Sequence, residues 1–137
     1  MILGIGSDLV SINRIRTSVD RLGMRFLQRI FTPDEIARAE ASIDPAHRYG
    51  KRWAAKEATL KALGTGLNRD ISWRCIEIYH VTGGRPAVRL SGGAADHLET
   101  LCPAGHRAVI HLTLSDEGEL AQAFVVIEAS PISAQGD

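Results

Sequence analysis

Arg52–Gly66 reads RWAAKEATLKALGTG. Ala, Leu, Lys and Glu dominate it, making it the densest helix-forming run in the chain. Glu57 and Lys61 are four apart and so lie one turn apart on one side of that helix. Arg52 and Lys56 repeat the spacing on a neighbouring row. Ala54, Ala55, Ala58 and Ala62 separate these charges, so a ligand can come close to the helix. Gly64 suits a left-handed C-terminal cap, and Gly66 leaves bare backbone beyond it. On spacing alone the simpler reading is a surface helix with one weak Glu57–Lys61 ion pair.

Upstream, Asp44-Pro45 starts the helix and Tyr49, Trp53, Leu60 and Leu63 form its apolar stripe. Before it, Thr32-Pro33-Asp34-Glu35 carries a capping box with Pro at the first helical position, opening a helix to about Ser42. Phe26–Phe31 reads as an apolar turn or short helix. Leu9–Leu22 is amphipathic, with Ile12, Ile15, Val19 and Leu22 on one face. Met1–Gly6 (MILGIG) reads as a buried strand with Asp8 just past its end. There Asp8 either caps the next helix or sits at a functional strand end. The Gly4/Gly6 pair lacks the third glycine of a dinucleotide fingerprint.

Downstream, Ile71–Tyr79 alternates as a strand, Thr82–Arg85 is a turn, and Pro86–Leu90 returns. Ser91–Cys102 reads as a helix. Ala108–Leu114 and Leu120–Glu128 form a last antiparallel pair. The expected fold is α+β, with about five mostly antiparallel strands and the helices on one side. Residues 1–130 make one domain, and Pro131–Asp137 reads as a loose tail.

A chain of 137 residues that is 45% apolar can bury a real core, and few aromatics make that core aliphatic. Zero formal net charge argues against general nucleic-acid binding. Five arginines (14, 16, 21, 25 and 29) against Asp20 form a local basic stripe, either a solvated face or a dock for an acidic partner. No apolar run approaches the ~18–20 residues of a membrane span. Cys75 and Cys102 show no CxxC spacing and, with no secretory signal pattern, point to the reducing cytoplasm. His47, His80, His97, His106 and His111 are too scattered for a zinc site. Asp8 and Glu57 together suit Mg²⁺ if the first strand packs beside the long helix, with Lys61, Arg52 and Lys56 available for phosphate oxygens.

In order along the chain, MILGIGSDLVSINRI (1–15), FLQRIFTPDE (26–35), RWAAKEATLKALGTG (52–66), the ISWRCIEI…GGRPAVRL hairpin (71–90) and HLTLSDE (111–117) resemble the motifs of holo-acyl-carrier-protein synthases. These are the short bacterial 4'-phosphopantetheinyl transferases. The resemblance spans roughly residues 1–128, and GIGxD with a downstream WAAKEAxxKAxGTG is its specific signature. It implies the transferase fold and transfer of the phosphopantetheine arm of coenzyme A to a carrier serine, for fatty acid biosynthesis in the cytoplasm. It places Mg²⁺ (or Mn²⁺) on Asp8 and Glu57, with Lys61 as the third catalytic group. Coenzyme A contacts fall on Arg52, Lys56, Lys61, Gly64, Thr65, Gly66, His111, Thr113 and Ser115. Arg14, Arg21 and Arg25 become the carrier dock. A homotrimer is implied, one subunit giving the Asp8 end and its neighbour the Glu57 helix or the nucleotide wall. Ser11 stands where the family often has an acid, and Asp116 where its late motif has a second histidine. The alternative is a non-catalytic coenzyme A-binding subunit with a basic docking helix.

Overall fold

The computed structural model describes residues 1–133. The order is β1 (Ile2–Ser11), α1 (Ile12–Leu22), α2 (Met24–Ile30), α3 (Pro33–Glu40), α4 (Pro45–Leu63), β2 (Ile76–His80), β3 (Pro86–Leu90), α5 (Gly92–Leu101), β4 (His106–Glu117) and β5 (Leu120–Pro131). The five expected strands are present. They divide into a three-stranded antiparallel sheet, β1-β5-β4, and a separate hairpin, β2-β3. Pro131, the first residue of the expected tail, instead ends β5, where it pairs with His106. The last residues of that tail lie outside the described chain.

α4 is the spine. Asp44 caps its start and Gly64, at φ 77°, ends it in the left-handed conformation. Twelve of its 19 residues are buried, so it is a central helix enclosed on most sides. On one side its alanines meet the inner face of the large sheet, with Leu112, Val125 and Ile127; on another they meet Ile76 and Ile78 of β2. A second cluster, with Ile15, Leu27, Phe31, Ala39 and Tyr49, joins α1, α2 and α3 to α4.

Register in the large sheet sorts the side chains. Asp8 lies opposite Ala123, which faces Leu114; Gly6 lies opposite Val125, which faces Leu112. These residues look toward α4. The alternate rows, Ile5–Val126–His111, Ser7–Phe124–Thr113 and Leu9–Gln122–Ser115, occupy the open face. Gly4 and Gly6 let β1 lie directly on α4. A Cβ at Gly6 would stand 1.9 Å from the carbonyl oxygen of Ala58, and one at Gly4 the same distance from that of Ala62.

Lys56 is fully buried. Its ammonium pairs with Glu35 at 2.9 Å and donates to the carbonyl oxygens of Trp73 and Ile76. Glu35 also accepts from the backbone N–H groups of Thr32 and Ile78, both at 2.8 Å. One ion pair thus pins α3, α4 and β2 together. Removing one partner strands the other charge without solvent, so Lys56→Met is expected to cost about 3–5 kcal/mol by urea unfolding. A loss below about 1 kcal/mol would refute that role.

Candidate active site

Asp8 is the first inward-facing residue of β1, after the two glycines, that carries a side chain. Its carboxylate therefore emerges at the flank of α4. Lys61 Nζ lies 3.2 Å from Asp8 Oδ1 and donates to the Ser7 carbonyl oxygen at 2.9 Å. Glu57, one turn back on α4, completes the group. Burial raises the Glu57 pKa, the Asp8 charge raises it further, and Lys61 opposes both. Lys61 pairs with Asp8, which leaves Glu57 free of the ion pair that helical spacing suggested.

These three residues line a groove of about 430 Å³ with Ser11, Arg14, Ile15, Ser18, Phe26 and Trp53. Trp53 stacks on Phe26 at 6.0 Å and meets Trp73 at 4.8 Å, giving the groove a firm apolar wall. Both carboxylates line the groove from one chain, so of the two expected divisions between subunits the one that gives Glu57 to the neighbour is not needed to bring them together. Two hard oxygen donors, one with its proton affinity raised by the other, fit a divalent cation such as Mg²⁺. Among the described residues no group of three or more His, Cys, Asp or Glu gathers, so water and phosphate oxygens would fill the rest of its shell.

A second cavity, of about 450 Å³, lies farther toward the start of α4, walled by Arg38, His47, Arg48, Lys51, Arg52, His80 and Leu114. Arg52 is 2% exposed, and its Nε and Nη2 have no hydrogen-bond partner. An unpaired buried guanidinium costs free energy unless an anion meets it. Burial and the surrounding Arg52, Arg48, Lys51 and Arg38 hold the His80 pKa down.

A sequence profile of the 4'-phosphopantetheinyl transferase superfamily matches residues 4–122. The holo-[acyl-carrier-protein] synthase of Sinorhizobium fredii is 52% identical over 133 residues, covering 97% of this chain and 96% of that one. That of Methylobacterium nodulans is 53% identical over 131 residues, covering 96% and 99%. The chain belongs to the holo-acyl-carrier-protein synthases of this superfamily. Its fold matches the Neisseria meningitidis synthase with a TM-score of 0.82 at 39% identity, covering 93% of this chain and 99% of that one. It also matches the Helicobacter pylori synthase solved in complex with coenzyme A, with a TM-score of 0.76 at 29% identity and coverage of 90% and 99%.

Among the other residues that the synthase motifs singled out, Arg14 lines the carboxylate groove, whereas Arg21 and Arg25 do not. Ser11 lines it too and caps α1 through Arg14 N. Arg16, in the same basic stripe, is tied to Asp44 at 3.1 Å and Glu119 at 3.6 Å. Lys56 does not reach either cavity, because its ammonium is committed to the core. Gly64, Thr65 and Gly66 follow Lys61 by one turn and line neither cavity; the Thr65 hydroxyl is buried without a partner. His111, Thr113 and Ser115 lie on the open sheet face, where His111 Nε2 is 2.7 Å from Glu128. The motifs did not single out Phe26 as a wall of the groove, nor Arg38, Arg48, Lys51 and His80. Trp53, part of the apolar stripe of α4, stands one turn before Glu57 and so lies beside the carboxylates.

Proposed function

We propose that the chain transfers the 4'-phosphopantetheine group of coenzyme A to a serine of an acyl carrier protein or carrier domain. Adenosine 3',5'-bisphosphate leaves, and the reaction is magnesium-dependent. The observation that carries this reading is the convergence of Asp8, Glu57 and Lys61 on one groove with an apolar wall. A Mg²⁺ or Mn²⁺ ion held by Asp8 and Glu57 would spread the charge of the pyrophosphate.

The serine Oγ forms a bond to the phosphorus that bears the pantetheine, and the P–O bond to the second phosphate breaks. The released phosphate carries away the electron pair, and the Lys61 ammonium stands where it can neutralise that charge. The serine proton goes to Glu57 through one water, Glu57 having a raised proton affinity, or to a water that a bound metal would activate. Trp53 and Phe26 exclude water from that side. Arg14 at the groove's edge, with Arg21 and Arg25 beyond it, offers cations to an acidic carrier. The Arg52 cavity takes a phosphate of coenzyme A distant from the reacting one, which supplies the anion its unpaired nitrogens lack.

The open face of the large sheet exposes Ile5 (62%), Leu9 (63%) and Phe124 (45%) in adjacent rows. An apolar face of that kind supports assembly with further copies of the chain, read here as a homotrimer. Assembly there brings His111, Thr113 and Ser115 to the neighbouring subunit's coenzyme A. Phe124→Asp is expected to convert the assembly to monomers by sedimentation equilibrium. A Phe124→Asp sample with the wild-type mass would refute this interface.

The two free cysteines, Cys75 and Cys102, agree with work in the cytoplasm. Incubation with an apo carrier protein, coenzyme A and Mg²⁺, followed by mass spectrometry, tests the activity. A gain of one phosphopantetheine group supports transfer. Binding of coenzyme A with no gain would make the chain a non-catalytic coenzyme A-binding subunit instead.

A further inference from the structure

Four cationic side chains, Arg38, Arg48, Lys51 and Arg52, surround one cavity, and none of the side chains lining it is a carboxylate. Like charges gathered this closely repel one another until an anion arrives. Two carboxylates pair with lining residues, Asp34 loosely with Arg38 and Asp116 closely with two of them. Asp116 Oδ1 lies 3.3 Å from Lys51 Nζ, and Asp116 Oδ2 lies 3.1 Å from His47 Nε2.

The placement follows from two periodicities. Asp116 sits two residues beyond Leu114 on β4, opposite Ala121 and in the row of Val10, so it faces α4. His47 and Lys51 are one turn apart on α4, so one carboxylate reaches both. Hydrogen bonding and charge from Lys51, with a further contribution from His47, hold the Asp116 pKa below the ordinary carboxylate range. It is therefore an anion at neutral pH. Arg38 has a looser contact, 3.7 Å to Asp34, and Arg52 keeps two unpartnered nitrogens.

We propose that Asp116 is an internal counter-anion that tunes the anion affinity of the Arg52 cavity. It holds Lys51 and His47 while the cavity is empty, and an entering phosphate competes with it for both. Asp116 acts through these two side chains and touches no reacting atom. Its charge weakens retention of the bisphosphate product as well as capture of coenzyme A, which favours turnover over tight binding. This rests on the reading that the cavity takes a phosphate of coenzyme A.

The test is calorimetric titration of the full chain with adenosine 3',5'-bisphosphate. Asp116→Asn keeps the shape and one acceptor oxygen while removing the charge. It is expected to tighten binding about threefold to tenfold at low salt, and the gain should shrink as salt is added. Glu119→Gln removes an equal charge at Arg16, away from the cavity, and should leave the affinity unchanged. A purely structural role for Asp116 would weaken binding or leave it unaltered, and either result overturns the proposal. Asp116→Ser serves as the second variant if the amide melts early. Arg52→Gln separates the two levels: unchanged affinity in that variant would overturn the cavity's assignment, whatever Asp116 does.

Discussion

Glu57→Gln is expected to reduce phosphopantetheine transfer about a thousandfold while leaving the fold slightly more stable than wild type. The two effects have one cause. Burial and the Asp8 charge raise the Glu57 pKa, so the folded chain favours the neutral acid more than the unfolded chain does. A raised pKa contributes stability that is fully present below the ordinary carboxylate range and is lost as pH rises through the folded value. At neutral pH the ionised carboxylate is therefore a burden on the fold. Gln removes that burden and with it the carboxylate that the proposed mechanism uses to hold the metal and accept the proton. The melting point of Glu57→Gln should exceed wild type by about 1–2 °C at pH 7, and the difference should vanish on acidification. Mass-shift kinetics and a melting series from pH 4 to 8 read both effects. Near-wild-type turnover would sink the assignment of Glu57, and a lower melting point at neutral pH would contradict its electrostatics.

The boundaries of α4 were legible because their causes are local. Asp44-Pro45 and Gly64 act within one turn of the helix end, and both do what the sequence led one to expect. β1 runs past Asp8 to Ser11 for a non-local reason. Ser11 pairs with Leu120, more than 100 residues away in sequence, and no pattern in MILGIGSDLVS announces that partner. The expected strand from Ile71 starts five residues late, because Trp73–Cys75 forms a 3₁₀ turn; the carbonyl oxygens of Trp73 and of Ile76, where β2 begins, accept from Lys56. Lys56 itself shows what spacing leaves open. It stands five residues before Lys61, so the two lysines leave α4 on different sides. Which side meets the core depends on where β2 packs. Glu35 was legible as half of a capping box but not as the partner of Lys56, since the second role needs the tertiary fold. Asp8 and Glu57 could be paired from sequence only on condition that strand and helix meet. The glycines of β1 meet that condition by lying on the helix backbone.

Gly6→Ala is the substitution expected to cost the most stability for the fewest atoms added. The new methyl carbon would lie 1.9 Å from the Ala58 carbonyl oxygen and 2.8 Å from Ala62 N, both backbone atoms of α4. A flexible side chain could swing aside, but a buried helix backbone cannot without moving the helix. The separation of β1 from α4 must therefore grow, which opens the Ala58 and Ala62 packing and draws Asp8 away from Glu57 and Lys61. Overpacking of this kind costs about 3 kcal/mol or more, a large share of the total stability of a small domain. Gly66→Ala is the matched control, since nothing lies within 4 Å of a Cβ there. Urea unfolding should show a large loss for Gly6→Ala and a change of at most about 0.5 kcal/mol for Gly66→Ala. The folded fraction of Gly6→Ala should also transfer phosphopantetheine more slowly, because Asp8 is the next inward residue on the same strand. A Gly6→Ala chain as stable as wild type would mean that β1 does not rest on the α4 backbone, and the geometry that joins Asp8 to Glu57 would fall with it.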